Sequence, residues 1–163
     1  QGISCSVPVY IYAQENQCSE EQLLRALALS NLTVIYIKQS LGRLSALCGC
    51  VVAATGSAAG ITYLMGGNYE EITYAIKNMI ANISGMICDG AKAGCALKLA
   101  SAASAAVQSA IIAKQNCIVP PMNGIVGNRV EQSIQNLGRV SDKGMTTTDK
   151  VIISVMDDMN KAK

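Results

Sequence analysis

The feature that most constrains the fold is a long run without any charged residue, residues 44–69 (LSALCGCVVAATGSAAGITYLMGGNY). Such a run is long enough to span a bilayer, for which a helix needs about 20 apolar residues. Glycine, serine and threonine interrupt it, however, and it is richer in alanine than in leucine. Because a helix that is apolar on all sides is also typical of the centre of a helical domain, we predict a buried central helix. A small membrane protein built on residues 44–69 and 96–113 stays the alternative.

A second helix is predicted before this run. Ser19 is a suitable N-cap, and Glu20 and Glu21 suit the positive end of a helix dipole. Helical spacing of apolar residues continues to about Ser40 and breaks at Leu41–Gly42. The apolar residues that carry this spacing are Leu23, Leu24, Leu27, Ala28, Leu32 and Ile35.

The rest of the chain predicts more helices and no sheet. Asn68 can cap a helix that runs to about Ser84. Further helices are expected at residues 96–115, 129–138 and 148–159. Residues 1–14 are ambiguous between a strand and a helix. Because no repeat or linker divides the chain, we predict one all-α domain over residues 1–163, with about six helices around the Ala/Gly-rich central one.

Composition excludes several chemistries. The chain has no histidine, so on its own it cannot form a Ser–His–Asp triad, a Cys–His dyad or a His-ligated zinc site. Its 13 basic and 11 acidic residues give a net charge of +2, which is too even to indicate a nucleic-acid partner. The number of cysteines, seven, is odd, and residues 1–20 do not resemble a signal peptide. We therefore expect a cytoplasmic chain with free thiols.

The cysteines are the candidate chemistry. Cys88 and Cys95 would be separated by about 10 Å of rise in a regular helix, which is too far for two ligands of one compact cluster. Gly90 and Gly94 lie between them, so we predict a turn that folds the two thiols toward one point. Free cysteine also behaves as a small core residue, and composition alone leaves both interpretations open for this pair.

The other cysteines are less specific. Cys48 and Cys50 flank a glycine in the predicted central helix, where residues two apart point about 200° from each other. Only one of them is therefore expected to face a site shared with the later pair, and spacing does not choose between them. Cys5, Cys18 and Cys117 are interpreted as structural core thiols.

Three runs resemble the serine dehydratase alpha-chain-like family, and most closely its L-cysteine desulfidase and YhaM-type branch. These are GRLSALCGC at 42–50, AAGITYL at 58–64 and GMICDGAKAGCALK at 85–98. Residues 136–139 (NLGR) and Gly144-Met145 also resemble the family. The resemblance covers nearly the whole chain and makes it similar to the C-terminal domain of these proteins, with the N-terminal part absent.

The resemblance implies an all-helical lyase domain with an oxygen-sensitive [4Fe–4S] cluster, which is expected to be lost from protein purified in air. Its ligands carry over to Cys48, Cys88 and Cys95, and one iron stays open to substrate. The implied reaction converts L-cysteine to pyruvate, ammonia and hydrogen sulfide, or L-serine to pyruvate and ammonia. The choice between these substrates stays open, as does assembly into a homo-oligomer.

The remaining roles follow from the same resemblance and from the turn. With no histidine here, the general base is expected in the N-terminal region, so this chain alone is expected to be inactive. Asp89 is predicted to cap a helix starting near Ala91, and Asp89, Gly90 and Lys92 are candidates for binding the substrate carboxylate. The competing interpretation is a non-catalytic helical scaffold of the same family, whose thiols are plain core residues.

Overall fold

The computed structural model describes residues 1–41 and 45–162. Its helices are, in chain order, α1 Gly2–Glu15, α2 Glu20–Leu41, α3 Gly49–Leu64, α4 Tyr69–Ile83, α5 Cys95–Lys114, α6 Val130–Arg139 and α7 Thr146–Lys161. A π-helical turn, Val140–Gly144, connects α6 to α7. In these ranges the strand-like pairing is confined to one antiparallel bridge between Leu47 and Ile87. The all-α prediction is confirmed, and the count rises from six to seven because residues 1–14 are helical.

The uncharged run forms the centre of the domain, as predicted. α3 is buried from Cys50 to Thr62 and packs against α1, α2, α4 and α5. Of the described helices, α5 has the length and apolar composition that crossing a membrane requires, whereas α3 is shorter. The run that motivated the membrane alternative is therefore an interior helix of this domain.

The apolar spacing predicts α2 correctly, but several of the apolar residues that carry it lie outside the core. Leu24, Leu32 and Ile35 are 58%, 63% and 55% exposed. The buried residues of α2 are instead Ala26, Ser30, Thr33, Val34, Ile37 and Leu41. The reason is the close approach of α3, where a Cβ added to Gly56 would lie 2.5 Å from the Ser30 carbonyl oxygen. The small side chains of Ala26 and Ser30 permit this approach, and the face that carries Leu24, Leu32 and Ile35 is turned outward. The expected break falls on Gly42, which lies outside the described residues.

α1 contains Pro8, which explains why its sequence was ambiguous. Proline lacks an N–H, so the carbonyl group of Ser4 loses its usual helical donor. The hydroxyl of Ser57, on α3, lies 3.5 Å from this oxygen and donates to the Cys5 carbonyl at 3.0 Å. Ser30, on α2, also donates to the Cys5 carbonyl at 3.0 Å. Buried hydroxyls of two neighbouring helices thus stabilise a helix that proline would weaken.

The predicted cap of α4 is confirmed. The Glu71 N–H donates to the Asn68 side chain at 3.0 Å, and the Asn68 N–H donates to the Glu71 carboxylate at 2.7 Å. This reciprocal pair is a capping box. Lys114, at the end of α5, forms a 2.9 Å ion pair with the same carboxylate. The Lys114 ammonium, together with the cap, holds the pKa of Glu71 below its usual value.

Candidate metal centre

An isolated bridge joins the segment before α3 to the segment after α4. The Cys48 N–H donates to the Met86 carbonyl at 2.9 Å, and the Cys88 N–H donates to the Ala46 carbonyl at 2.7 Å. Side chains alternate between the two faces of paired strands, so Cys48 and Cys88 share one face as diagonal neighbours. Two of the three predicted ligands, 40 residues apart in sequence, are therefore carried by one backbone pairing.

The prediction that Cys48 and Cys50 point in opposite directions is wrong. Cys48 is the N-cap of α3 with an extended backbone, so the helical rotation does not apply to it. The Cys50 thiol lies 3.1 Å from the Cys48 sulfur and 3.1 Å from the Met86 sulfur, and both cysteines are 7% exposed. Burial, and to a smaller extent the hydrogen bond to Cys48, raises the pKa of Cys50 to about 12. Cys50 is thus a protonated thiol near neutral pH in this structure.

A glycine-bearing turn lies between Cys88 and Cys95, as expected, whereas the convergence of their two thiols stays a prediction. Gly90 has φ +92°, a conformation that favours glycine, and α5 begins at Cys95. The Cys95 sulfur accepts the Lys92 N–H at 3.4 Å and donates to the Gly90 carbonyl at 3.6 Å. Cys95 is therefore held by the loop that also carries Cys88.

The predicted role of Asp89 as a helix cap is wrong, because α5 starts at Cys95 and not near Ala91. Asp89 instead forms an ion pair with Lys98, a residue that was not among the predicted site residues. Lys98 also donates to the Ile87 carbonyl at 2.9 Å. The hydrogen bond between Lys98 and Asp89 is the main cause of two shifts: it lowers the pKa of Asp89 and raises the pKa of Lys98.

Sequence offered one signal for Lys98, namely its position three residues after Cys95. Residues three apart in a helix share a face, so the side chains of Cys95 and Lys98 can contact the same loop. The Lys98 side chain contacts both residues that flank Cys88 in that loop. Its partners, however, depend on the bridge and the turn, which the spacing could not predict.

The thiols suit an iron–sulfur cluster by type and number, since cysteine thiolates hold such clusters. Across residues 1–41 and 45–162, no three side chains of the His, Cys, Asp or Glu type converge closely enough to hold a metal ion. The backbone thus brings Cys48 and Cys88 to one bridge and Cys95 to the adjoining loop. Ligation by all three stays a prediction.

The three cysteines interpreted as core residues differ in their burial. Cys5 is buried and donates to the Asn31 side-chain oxygen at 3.4 Å, in agreement with that interpretation. Cys18 is partly buried, whereas Cys117 is exposed, so the core prediction is wrong for Cys117. It follows the end of α5, where its backbone carbonyl accepts the Asn78 side chain at 3.0 Å.

A separate cleft of about 420 Å³ lies beside the π-helical turn. It is lined by Gly124, Ile125, Asn136, Arg139, Val140, Lys143 and Gly144, and by none of the cysteines. The Asn136 side chain donates to the Ile125 carbonyl at 3.0 Å. A Cβ on Gly138 would lie within 2.4 Å of the Ser40 carbonyl oxygen. The NLGR run therefore has a packing role in this fold.

Comparison with known proteins points in one direction. The family model of the serine dehydratase alpha chain matches residues 1–154. A UPF0597 protein of Clostridioides difficile is 65% identical over 161 residues, which cover 98% of this chain and 38% of that protein. UPF0597 proteins of Phocaeicola vulgatus and Alkaliphilus metalliredigens are 62% and 50% identical, with 96% and 99% of this chain covered and 36% of each relative.

The chain spans a little over a third of the length of these curated relatives. No solved structure matches it.

Proposed function

Because this chain belongs to the serine dehydratase alpha chain family, we propose that it is the cluster-binding part of a lyase. Cys48, Cys88 and Cys95 would hold a [4Fe–4S] cluster. The substrate is a small amino acid with a leaving group on its β-carbon. The reaction is elimination, either of water from L-serine or of hydrogen sulfide from L-cysteine, with pyruvate and ammonia as the other products.

The observation that carries the proposal is the bridge that places Cys48 and Cys88 on one face. The loop that follows Cys88 returns to Cys95 through the Gly90 turn and the contacts of the Cys95 sulfur. Three thiols on two backbone segments leave one iron of a four-iron cluster without a protein ligand. When bound, the cluster would supply a Lewis acid that polarises the β-hydroxyl or β-thiol.

The chain's own residues would bind and orient the substrate. We propose that Asp89, Gly90 and Lys92 form the edge facing it. The Lys92 side chain is exposed and cationic, and therefore suits a carboxylate. The Asp89 charge is offset by Lys98, so it does not repel that carboxylate strongly.

Elimination also needs a base for the α-proton, and this chain has no histidine. We place the base in the remaining part of the full-length protein, which is accordingly a partner of this region. The cytoplasm is the proposed compartment, since reduced thiols must persist there for the cluster to bind.

The test uses full-length protein reconstituted with iron and sulfide without oxygen. We expect about four irons per chain and release of pyruvate from L-serine or L-cysteine. Cys88→Ala and Cys95→Ala should each lose both the iron and the activity. Iron binding that survives in both variants would contradict the site assignment. Full iron loading without pyruvate from either substrate would contradict the reaction.

A second candidate is a non-catalytic scaffold of the same family. It is favoured by the side chains of the three cysteines, which do not converge among the described residues. This candidate predicts that the chain keeps its helicity and melting temperature in chelator and gains nothing from iron and sulfide. A rise in melting temperature on reconstitution would exclude it, because ligands of the native state stabilise that state.

A further inference from the structure

Lys98 occupies an unusual position relative to the candidate ligands. It lies one helical turn after Cys95 on α5, with a side chain that is 26% exposed. Its ammonium donates to the carbonyl of Ile87 and pairs with the carboxylate of Asp89. These are the two residues that flank Cys88. Lys98 thus binds both neighbours of Cys88 while it stands on α5, the helix that begins with Cys95.

The backbone bridge ties Ile87 and Cys88 to the segment before α3, with the Cys88 N–H donating to the Ala46 carbonyl at 2.7 Å. Beyond that bridge, residues 88–94 form no helix, and all of them are exposed or partly exposed. Cys95 contacts the segment through its sulfur, which accepts the Lys92 N–H and donates to the Gly90 carbonyl. A thiolate that binds a metal has no proton left to donate. The Lys98 contacts, by contrast, need no cysteine proton and are compatible with ligation.

We propose that Lys98 is a positioning residue that fixes the separation of Cys88 and Cys95 by holding the Ile87–Asp89 segment against the first turn of α5. This positioning role rests on the proposed function in one respect: its expected consequence is that the protein retains the cluster. The geometric part stands apart from the metal, because the separation of two thiols can be measured without iron. Lys98 does not need to touch the substrate for this role.

The contacts of Lys98 also explain why a lysine suits this position. A carbonyl oxygen and a carboxylate must be bound from one point, and an ammonium has three donors for them. Arginine keeps the charge and several donors, so Lys98→Arg is the conservative variant. Lys98→Met removes both and retains much of the apolar length.

The first measurement is chemical cross-linking of reduced, iron-free full-length protein with dibromobimane, a short reagent that joins two nearby thiols. Trypsin cuts after Lys92, so a bridge between Cys88 and Cys95 joins two peptides that are otherwise separate. Because the Lys98–Asp89 pair is partly exposed to solvent, its loss in Lys98→Met is expected to slow this cross-link by about fivefold. Lys98→Arg should recover most of the rate.

The matched control is Lys150→Met, which makes the same change at an exposed position on α7. It should leave the cross-linking rate unchanged. Single-thiol labelling of Cys88 and of Cys95 checks that neither thiol has simply become less reactive. An unchanged cross-linking rate in Lys98→Met, with a normal helical spectrum, would overturn the proposal. A variant that fails to fold is replaced by Asp89→Asn, which should slow the cross-link by about twofold and would overturn the proposal if it does not.

The second measurement separates this proposal from the proposed function. After reconstitution without oxygen, Lys98→Met should release iron to a chelator about fivefold faster than the wild type, and Lys98→Arg should not. If the wild type binds no cluster while the cross-link still depends on Lys98, the proposed function fails and the positioning role stands. If the wild type binds the cluster and Lys98→Met retains it equally well, the consequence drawn here is wrong and the proposed function stands.

Discussion

The two halves of the candidate centre are built in different ways. Cys48 stands at the start of α3, the most buried helix of the domain, and it is 7% exposed. Cys88 starts a partly exposed segment without helix, residues 88–94, and Cys95 is the first residue of α5; a few polar contacts hold that segment to α5. The first half is fixed by packing, and the second by hydrogen bonds and one glycine turn.

This difference indicates where the centre can adjust. Packed interiors resist displacement, whereas exposed segments with few buried contacts open at low free energy. Bringing three sulfur atoms to one cluster would therefore move the Cys88–Cys95 loop rather than α3. Changes in the buried half should appear as losses of global stability, and changes in the loop should appear as losses of metal retention.

The largest expected effect is on the buried half. In Gly56→Ala the new Cβ would meet the Ser30 carbonyl oxygen at 2.5 Å and a Val34 methyl at 2.6 Å. Overpacking of this kind is expected to lower the free energy of unfolding by about 2 kcal/mol, measured by urea denaturation. Gly94→Ala, at an open position beside the loop, is the control and should change it by less than about 0.5 kcal/mol. Equal losses in the two variants would break the comparison.

A smaller effect is expected in the loop. Gly90 has φ +92°, and a Cβ there would meet its nearest atom at 3.7 Å, so Gly90→Ala adds backbone strain without a clash. The strain is about 1 kcal/mol, which corresponds to roughly fivefold faster release of iron from reconstituted protein to a chelator. Gly85→Ala, which meets no atom within 4 Å, is the control. A large drop in melting temperature with unchanged iron release would contradict the assignment of Gly90 to the loop half of the centre.

The smallest effect concerns the C-terminal end of α5, which is remote in sequence from the three candidate ligands. The pKa of Glu71 is lowered by Lys114 and by the α4 cap, so this carboxylate stabilises the fold at pH above its unfolded pKa. That contribution is lost as the pH falls through the folded pKa. Glu71→Gln should therefore flatten the acid side of the stability profile, measured as melting temperature from pH 7 to about pH 3. An acid limb that stays unchanged in the variant would show that the pair does not act in this way.

Local signals predicted the fold better than the site. Asn68 caps α4 because the partners of a cap lie within one turn, and the uncharged run is buried because few other environments suit it. The core face of α2 could not be predicted, since it depends on Gly56 across the interface. Lys98 was missed for the same reason. Its partners are set by a bridge between distant segments, which helical spacing does not encode.

The most direct test of the account compares iron binding in two neighbouring variants of the full-length protein. Cys48→Ala and Cys50→Ala remove buried thiols whose sulfur atoms are 3.1 Å apart, so they perturb packing alike. After reconstitution without oxygen, we expect about four irons per chain in Cys50→Ala and in the wild type, and loss of the cluster in Cys48→Ala. Full iron loading in Cys48→Ala would contradict the assignment of Cys48 as a ligand.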